Sequence, residues 1–162
     1  MYNHITFPLA TRSISLDEDP RSVFEMAVLR LTYDDFLSKS KQTPQDPLSA
    51  LVEHEKTVYV FALTRDSCSG CETQKPLYEK LASSVNEKHG ERVKFHAIHV
   101  SNQQQFRDRL QDLRQTLKFA AYPTYLTLVR TGFGSVETYR AIEPPMEDIE
   151  RNIELTLELA SR

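Results

Sequence analysis

The sequence lacks tryptophan, carries only two cysteines, and has neither a long apolar run nor an excess of one charge. Two cysteines cannot build a multi-bridge disulfide scaffold, so a functional role explains them better than a structural one. No apolar run approaches the roughly 20 residues that span a bilayer, so no membrane partner is expected. Lys and Arg (20) nearly balance Asp and Glu (23) and form no basic stripe, which argues against nucleic acid as a partner.

The N-terminal region, 1–20, lacks the basic stretch followed by an apolar segment that marks a secretory signal. Cytoplasmic residence is therefore expected, although a chain trimmed of its signal would look the same. A length of 162 residues predicts one domain with a full hydrophobic core and some decoration. Because residues 1–26 show no clear hydrophobic period, we expect them to form an N-terminal extension or arm, with the domain itself in 27–162.

From residue 27 onwards, apolar periodicity predicts alternating strands and helices. The predicted strands are 28–31, 58–63, 93–100, 125–129 and 136–139. The first predicted helices are one after a Thr32 N-cap, a short one at 48–54, and one from 72 to about 88 with Leu77, Leu81 and Val85 in one apolar stripe. Two more follow, one capped by Ser101 or Asn102 and a closing one after 144–145 with Leu155 and Leu159 among its apolar residues. This order predicts an α/β fold, in which a mixed central sheet has a parallel part, an antiparallel edge hairpin and helices on both faces.

The most informative segment is Cys68-Ser69-Gly70-Cys71, which contains both cysteines of the chain. It follows the apolar strand 58–63 and leads straight into a helical segment. The unpaired N–H groups and the positive dipole end of that helix stabilise a thiolate on the first sulfur. The spacing also lets the second sulfur close onto the first as a disulfide. A Cys-x-x-Cys pair near a βαβ pattern is typical of a redox site.

Across roughly 27–162 the sequence resembles the thioredoxin family. The resemblance is carried by Leu31-Thr32-Tyr33-Asp34-Asp35-Phe36 at the first strand-to-helix junction, by strand 58–63 leading into the cysteine pair, by Pro76 in the following helix, and by Tyr122-Pro123-Thr124 at the start of the fourth strand. The stretch from Pro76 to Leu81 and the Tyr-Pro-Thr triplet are similar to the protein disulfide isomerase branch. The resemblance therefore implies a thioredoxin fold, with Pro76 kinking the helix.

The same resemblance implies dithiol–disulfide exchange with protein or small-molecule disulfides. Cys68 would attack the substrate and Cys71 would resolve the mixed disulfide. Pro123, after a cis peptide bond, would pack against the pair, and the backbone of Tyr122 would pair with an extended substrate segment beside Ser69 and Gly70. A thiol reductase could act as the electron donor, and no cofactor is expected. The direction of electron flow stays open.

Several family features are absent from this chain. Ser67 stands where the family has tryptophan, and Ala62 where it has a buried acid. The lysine that pairs with that acid aligns with Ala97, or, after a one-residue slip, with His96 or Ile98. Losing both charged groups together is coherent, since a lone buried charge would cost several kcal/mol. The loss also removes the internal base, so Cys71 would resolve slowly or use water or a nearby side chain. The family's glycine after the last strand is replaced near 140–141, which would crowd the substrate surface.

Other polar residues have simpler interpretations. His96 and His99 are three apart on a strand and point to opposite faces, so they cannot chelate together, and no metal site is expected. At least one of the two is expected to be a satisfied structural histidine. Asp66 or Ser67 is expected to cap the helix rather than transfer protons. The side chain of Tyr122 is expected to be a surface contact for a partner.

A second functional hypothesis is a thioredoxin-fold interaction or adaptor module with weak or no redox activity. The missing buried acid and the missing tryptophan motivate it. In that case the cysteines would be vestigial, and the scaffold with its N-terminal arm would bind a partner.

Overall fold

A five-stranded mixed sheet runs through residues 27–162, the part of the chain that the computed structural model describes. The predicted N-terminal arm, 1–26, lies outside the described residues. The strands are β1 (Val28–Thr32), β2 (Val58–Arg65), β3 (Val93–Val100), β4 (Thr124–Thr131) and β5 (Gly134–Ile142), and the helices are α1 (Tyr33–Ser40), α2 (Ser69–His89), α3 (Phe106–Leu117) and α4 (Met146–Ala160). No helix within 27–162 is long and apolar enough to cross a bilayer.

The strand order across the sheet is β1-β3-β2-β4-β5. β1, β2 and β3 are parallel, whereas β4 runs antiparallel to β2 and forms a hairpin with β5. The predicted fold class and the predicted element order are therefore confirmed. The site depends on this topology, because the central strand β2 delivers its carboxyl end to the middle of the sheet edge.

Side-chain alternation along β2 builds a separate core on each face of the sheet. Tyr59, Phe61 and Leu63 pack under α1 and α3, and the intervening Val60 and Ala62 pack under α2 and α4. Both sets are almost completely buried. A strand covered on both faces reads as a continuous apolar run, which is the pattern that the sequence shows from 58 to 63.

The predicted N-cap of α1 is confirmed. The Thr32 hydroxyl accepts a hydrogen bond from the Asp35 N–H at 3.1 Å, and the Asp35 carboxylate accepts one from the Thr32 N–H at 2.9 Å. This reciprocal capping box satisfies two N–H groups that the first helical turn would otherwise leave without a partner. It turns the chain sharply from β1 into α1.

The buried face of α2 differs from the predicted one. Leu77 is 49% exposed, and the face against the sheet is formed instead by Gln74, Tyr78, Leu81, Ala82 and Val85. Consecutive helical residues are about 100° apart, so Leu77 lies beside this face while Tyr78 lies on it. Leu155 and Leu159 of α4 are likewise exposed, because Ile149, Ile153 and Leu157 form the stripe that meets the sheet.

One helix starts later than predicted, and another is shorter than predicted. α3 begins at Phe106, after Gln105 in a left-handed conformation with φ 63°, and not at a cap on Ser101 or Asn102. The reason is tertiary: the Asn102 N–H donates to the Asp66 carboxylate at 2.7 Å, and its side-chain amide donates to Ser67. The short helix predicted at 48–54 is a single 3-10 turn, Ser49–Leu51.

A pH dependence of stability follows from His96, which is buried beside Phe61 with their ring centroids 4.9 Å apart. Burial, with a smaller contribution from Lys94, lowers the pKa of His96 to about 4. As pH falls below the ordinary value of about 6.5, the unfolded chain therefore takes up a proton that the folded chain refuses. We expect about 2 kcal/mol less stability at pH about 5 than at pH about 7 from this group alone.

Urea unfolding at both pH values measures this difference. His96→Phe should reduce the pH dependence, whereas replacing the exposed His54 by Gln should leave it as in the unmodified chain. An equal pH dependence in the His96→Phe variant would contradict the assignment.

Candidate active site

The junction between β2 and α2 presents the cysteine pair at the edge of the sheet. The Asp66 N–H donates to the Val100 carbonyl at 3.0 Å, which extends the β2–β3 pairing by one residue. Ser67 then adopts a left-handed conformation with φ 53°, and Cys68 is the N-cap of α2. The prediction that Asp66 or Ser67 caps the helix is therefore wrong, because the turn at Ser67 carries the chain past both residues before the helix begins.

Cys68 and Cys71 form a disulfide, with their Cα atoms 5.2 Å apart. This separation is within the ordinary range for disulfide-bonded cysteines. The Cys71 N–H donates to the Cys68 sulfur at 3.2 Å, so the first sulfur occupies the position of a helix-capping acceptor. The predicted placement of that sulfur at the amide end of the helix is present in the structure. Cys68 is predicted to be the more exposed of the two cysteines. The difference is small, since Cys68 is 8% exposed and Cys71 is 5% exposed.

The loop before β4 lies against the cysteine pair. The Tyr122–Pro123 peptide bond is cis, and Pro123 is buried. A methyl group placed on Gly70 would come within 3.2 Å of the Pro123 Cδ atom, so the proline ring packs closely on the turn between the cysteines. The structure thus brings Pro123 and Gly70 together, as the resemblance implies, and leaves Ser69 exposed beside Cys68.

The side chain of Tyr122 contacts α3, and its predicted role as a contact for a partner stays a prediction. It is half-buried, its hydroxyl donates to the Leu110 carbonyl at 3.0 Å, and its ring packs edge-on against Phe119 with centroids 4.9 Å apart. The Tyr122 ring therefore anchors the loop to α3. The predicted pairing of its backbone with a substrate stays a prediction.

Glu143 is the residue that crowds this surface, and sequence reasoning missed it. It follows β5 directly, its N–H donates to the Pro123 carbonyl at 3.1 Å, and its carboxylate lies over Gly70. The crowding predicted near 140–141 is absent there, because the Arg140 guanidinium turns away and donates to the Leu117 carbonyl at 2.8 Å. No local sequence signal marks this contact, because it joins residues that are far apart along the chain.

A cavity of about 450 Å³ reaches Cys71 from behind. Ala62 and Ala97 are direct neighbours in the β2–β3 ladder and both line it, together with Tyr78 and Tyr125. These two alanines hold the positions where the resemblance implies a buried acid and its lysine partner. Replacing both groups by methyl side chains leaves space next to the second sulfur.

Tyr78 contributes a phenol to the lining of this cavity. Its hydroxyl lies 2.8 Å from the His96 carbonyl and 3.1 Å from the Val60 carbonyl. Burial raises the pKa of Tyr78 well above its ordinary value, and burial likewise raises the pKa of Tyr125. Both phenols therefore stay neutral, and neither replaces the missing acid as a base for Cys71.

A polar cluster stands at the mouth of the cavity, where β2 and β3 end side by side. His99 Nδ1 lies 2.8 Å from the Thr64 hydroxyl, and His99 Nε2 lies 2.8 Å from an Asp66 carboxylate oxygen. The Asn102 N–H, and then His99, hold the pKa of Asp66 below its usual range, so this carboxylate stays ionised.

His99 is the satisfied structural histidine that the sequence predicts, since both of its ring nitrogens have partners. It faces away from His96, which lies in the aromatic cluster on the other side of the sheet, so the predicted opposite orientation is confirmed. The signal for the Asp66–His99 pair was the arrival of both residues at the carboxyl ends of adjacent parallel strands.

No protein-family model and no curated protein sequence matches the chain. Solved structures do match it. Thioredoxin f from spinach chloroplast, in its long form, gives a TM-score of 0.54 at 17% identity, covering 85% of this chain and 93% of that one. Thioredoxin f2 of Chlamydomonas reinhardtii gives 0.53 at 16% identity, covering 79% and 94%. A chain from the complex of ferredoxin:thioredoxin reductase and thioredoxin f2 gives 0.51 at 16% identity, covering 79% and 93%.

These matches define the class of architecture. The chain has the thioredoxin fold, which confirms the fold that the resemblance implies. Its Cys-x-x-Cys disulfide and its Tyr-Pro-Thr loop are placed together at one edge of that fold.

The paired alanines generate a prediction about buried charge. In Ala62→Asp a carboxyl group would replace a side chain that is 2% exposed, with no lysine opposite it on Ala97. Burial would raise the pKa of that carboxyl, so the folded state would hold its proton longer than the unfolded chain does. Stability should therefore fall as pH rises through the ordinary carboxyl range near 4, by about 3 kcal/mol at neutral pH.

Denaturant unfolding at pH about 4 and about 8 measures this loss. Ala62→Asn introduces a polar group of the same shape that cannot ionise. It should therefore show only the pH dependence that the unmodified chain already has from His96. Adding Ala97→Lys to Ala62→Asp should recover part of the stability at the higher pH. Equal losses for the Asp and Asn variants at both pH values would contradict this account of the cavity.

Proposed function

We propose that the chain is a thiol–disulfide oxidoreductase that exchanges electrons with protein or small-molecule disulfides through Cys68 and Cys71. The observation that carries this proposal is the hydrogen bond from the Cys71 N–H to the Cys68 sulfur at the first turn of α2. The same backbone donor and the positive end of the helix dipole stabilise a thiolate when the disulfide is opened. Within 27–162 no observation favours the alternative of an inert interaction module.

In the reducing direction the exchange takes two steps. The Cys68 thiolate attacks one sulfur of a substrate disulfide, forms a mixed disulfide, and expels the other substrate sulfur as a thiolate that takes up a proton. Cys71 then loses its proton and attacks the Cys68 sulfur. This second step releases the remaining substrate thiol and leaves the Cys68–Cys71 disulfide, so two electrons pass from the protein to the substrate. The oxidising direction is the reverse.

The substrate would lie across the surface made by Ser69, Gly70 and the loop at Pro123. Ser69 is exposed beside Cys68, and the buried Pro123 ring supports the turn at Gly70 from below. An extended substrate segment could then pair with the backbone of Tyr122, whose side chain is held in place by the Leu110 carbonyl. These four residues would position the substrate sulfur rather than take part in the chemistry.

The proton on Cys71 needs a route that does not use a buried acid. The cavity behind Cys71 extends from the Ala62–Ala97 pair to the polar cluster of Asp66 and His99 at its mouth. It is polar at the mouth and large enough to admit water, which needs about 30 Å³ per molecule. We propose that water in this cavity accepts the Cys71 proton during resolution.

A thiol reductase would return electrons to the oxidised pair. The structural match to a chain from the complex of ferredoxin:thioredoxin reductase and thioredoxin f2 supports a reductase partner in general terms.

Disulfide reduction by the two single-cysteine variants tests the proposal. With dithiothreitol as the electron donor, we expect the unmodified chain to reduce insulin disulfides catalytically and Cys68→Ser to lose turnover. Cys71→Ser should instead accumulate mixed disulfides with the substrate, because the resolving thiol is gone. Non-reducing gel mobility and mass spectrometry detect that adduct, and thermal unfolding of both variants verifies that they are folded.

The proposal fails if the unmodified chain reduces no disulfide faster than dithiothreitol alone, or if Cys68→Ser keeps full turnover. Partner capture that does not depend on either cysteine would then favour the interaction module.

A further inference from the structure

Glu143 places a carboxylate beside the reactive pair. A methyl group on Gly70, the residue between the two cysteines next to Cys71, would come within 2.8 Å of the Glu143 Cδ atom and would overlap the carboxylate. The carboxylate and the Pro123 ring therefore contact the same small patch of α2 from neighbouring positions. Gly70 is two residues after Cys68, so we expect this charge to act on a disulfide that approaches Cys68.

The backbone holds Glu143 in an unusual conformation. Its φ of 48° lies in the left-handed region, which residues with a side chain rarely occupy. The Glu143 N–H donates to the Pro123 carbonyl at 3.1 Å. The carbonyl of the following residue, Pro144, accepts a hydrogen bond from the buried Gln74 side chain at 2.9 Å. Such backbone outliers, when the surroundings hold them in place, are concentrated at ligand-binding and catalytic sites.

The charge of Glu143 is open to a ligand. The side chain is exposed, and among residues 27–162 no lysine, arginine or histidine forms a salt bridge with it. The charge of Glu143 also acts below the surface. Burial raises the pKa of Tyr125, and Glu143 raises it further. Without Glu143, the positive end of α2 would favour anionic groups near Cys68.

We propose that Glu143 is a specificity-determining residue that selects disulfides with a cationic side chain next to the reactive cysteine. This inference rests on the proposed function for its substrate class. A lysine or arginine beside the substrate sulfur would meet the carboxylate as that sulfur approaches Cys68. An aspartate or glutamate in the same place would be repelled, so the discrimination combines attraction of one sign with exclusion of the other.

Charged thiol reagents test the field at Cys68 without requiring turnover. In the Cys71→Ser chain Cys68 is the only thiol. Its thiolate reacts with a methanethiosulfonate to form a disulfide to the reagent's side group, and methanesulfinate leaves. We compare the rate with a trimethylammonium reagent against the rate with a sulfonate reagent of similar size, each normalised to its rate with N-acetylcysteine.

Adding Glu143→Gln should lower the cationic-to-anionic rate ratio about threefold to tenfold at low ionic strength, because an exposed charge at contact distance has an effect of this order. The change should shrink in about 1 M salt, where the screening length is about 3 Å. Glu147→Gln removes an equal charge from an exposed position four residues away in α4 and serves as the matched control. An unchanged ratio in Glu143→Gln, or an equal drop in Glu147→Gln, would overturn the proposal.

A peptide series extends the test to substrates. Each of three short peptides has one cysteine joined to 2-thiopyridine and flanked by lysines, glutamines or glutamates. The chain with both cysteines is used in its dithiol form, which supplies the two electrons: Cys68 displaces 2-thiopyridone, and Cys71 then releases the peptide thiol and leaves the Cys68–Cys71 disulfide. We expect rates in the order lysine, glutamine, glutamate, and a narrower spread in Glu143→Gln. The two possible failures can be told apart. If no peptide is reduced but Glu143→Gln changes the cationic-to-anionic rate ratio, the oxidoreductase proposal is rejected. If all peptides are reduced but Glu143→Gln leaves that ratio unchanged, the role of Glu143 is rejected.

Discussion

The hydrogen bond from the Cys71 N–H to the Cys68 sulfur is the interaction on which the site depends. It exists because Cys68 is the N-cap of a 21-residue helix, so its sulfur occupies the place where a capping side chain normally accepts. The central strand β2 brings the chain to this point, and the left-handed turn at Ser67 is followed by Cys68 at the N-cap position. An N–H donor and the helix dipole both act on one sulfur, which gives the two cysteines different chemical roles.

The surroundings of the pair divide into two surfaces with different properties. On the outer surface, Pro123 and Glu143 lie against Gly70, so a rigid ring and a negative charge stand beside the turn between the cysteines. Behind Cys71, the methyl groups of Ala62 and Ala97 leave a cavity where a charged pair is implied by the resemblance. The absence of both members of that pair avoids an uncompensated buried charge. It is also the reason for our proposal that water accepts the Cys71 proton.

Much of the fold could be predicted from the sequence. Strands covered on both faces appear as apolar runs, and Thr32 is a residue type that favours the N-cap position of a helix. The cysteine pair and Pro123 were likewise visible as motifs. The errors arose where tertiary contacts decide local structure. Asn102 donates its N–H to Asp66 and does not cap a helix. Leu77 lies just beside the buried face of α2. Glu143 could not be found this way, because its role comes from the approach of two chain segments that are 73 positions apart in sequence, 70 and 143.

The reduction potential of the Cys68–Cys71 couple tests the central claim most directly. Equilibration of the full chain with glutathione buffers, followed by thiol quantification, measures it. A redox-active pair at a helix start should interconvert reversibly, with a potential between about −300 and −120 mV, and the value within that range fixes the direction of electron flow. A couple that stays oxidised well below about −300 mV would be a structural disulfide and would contradict the account.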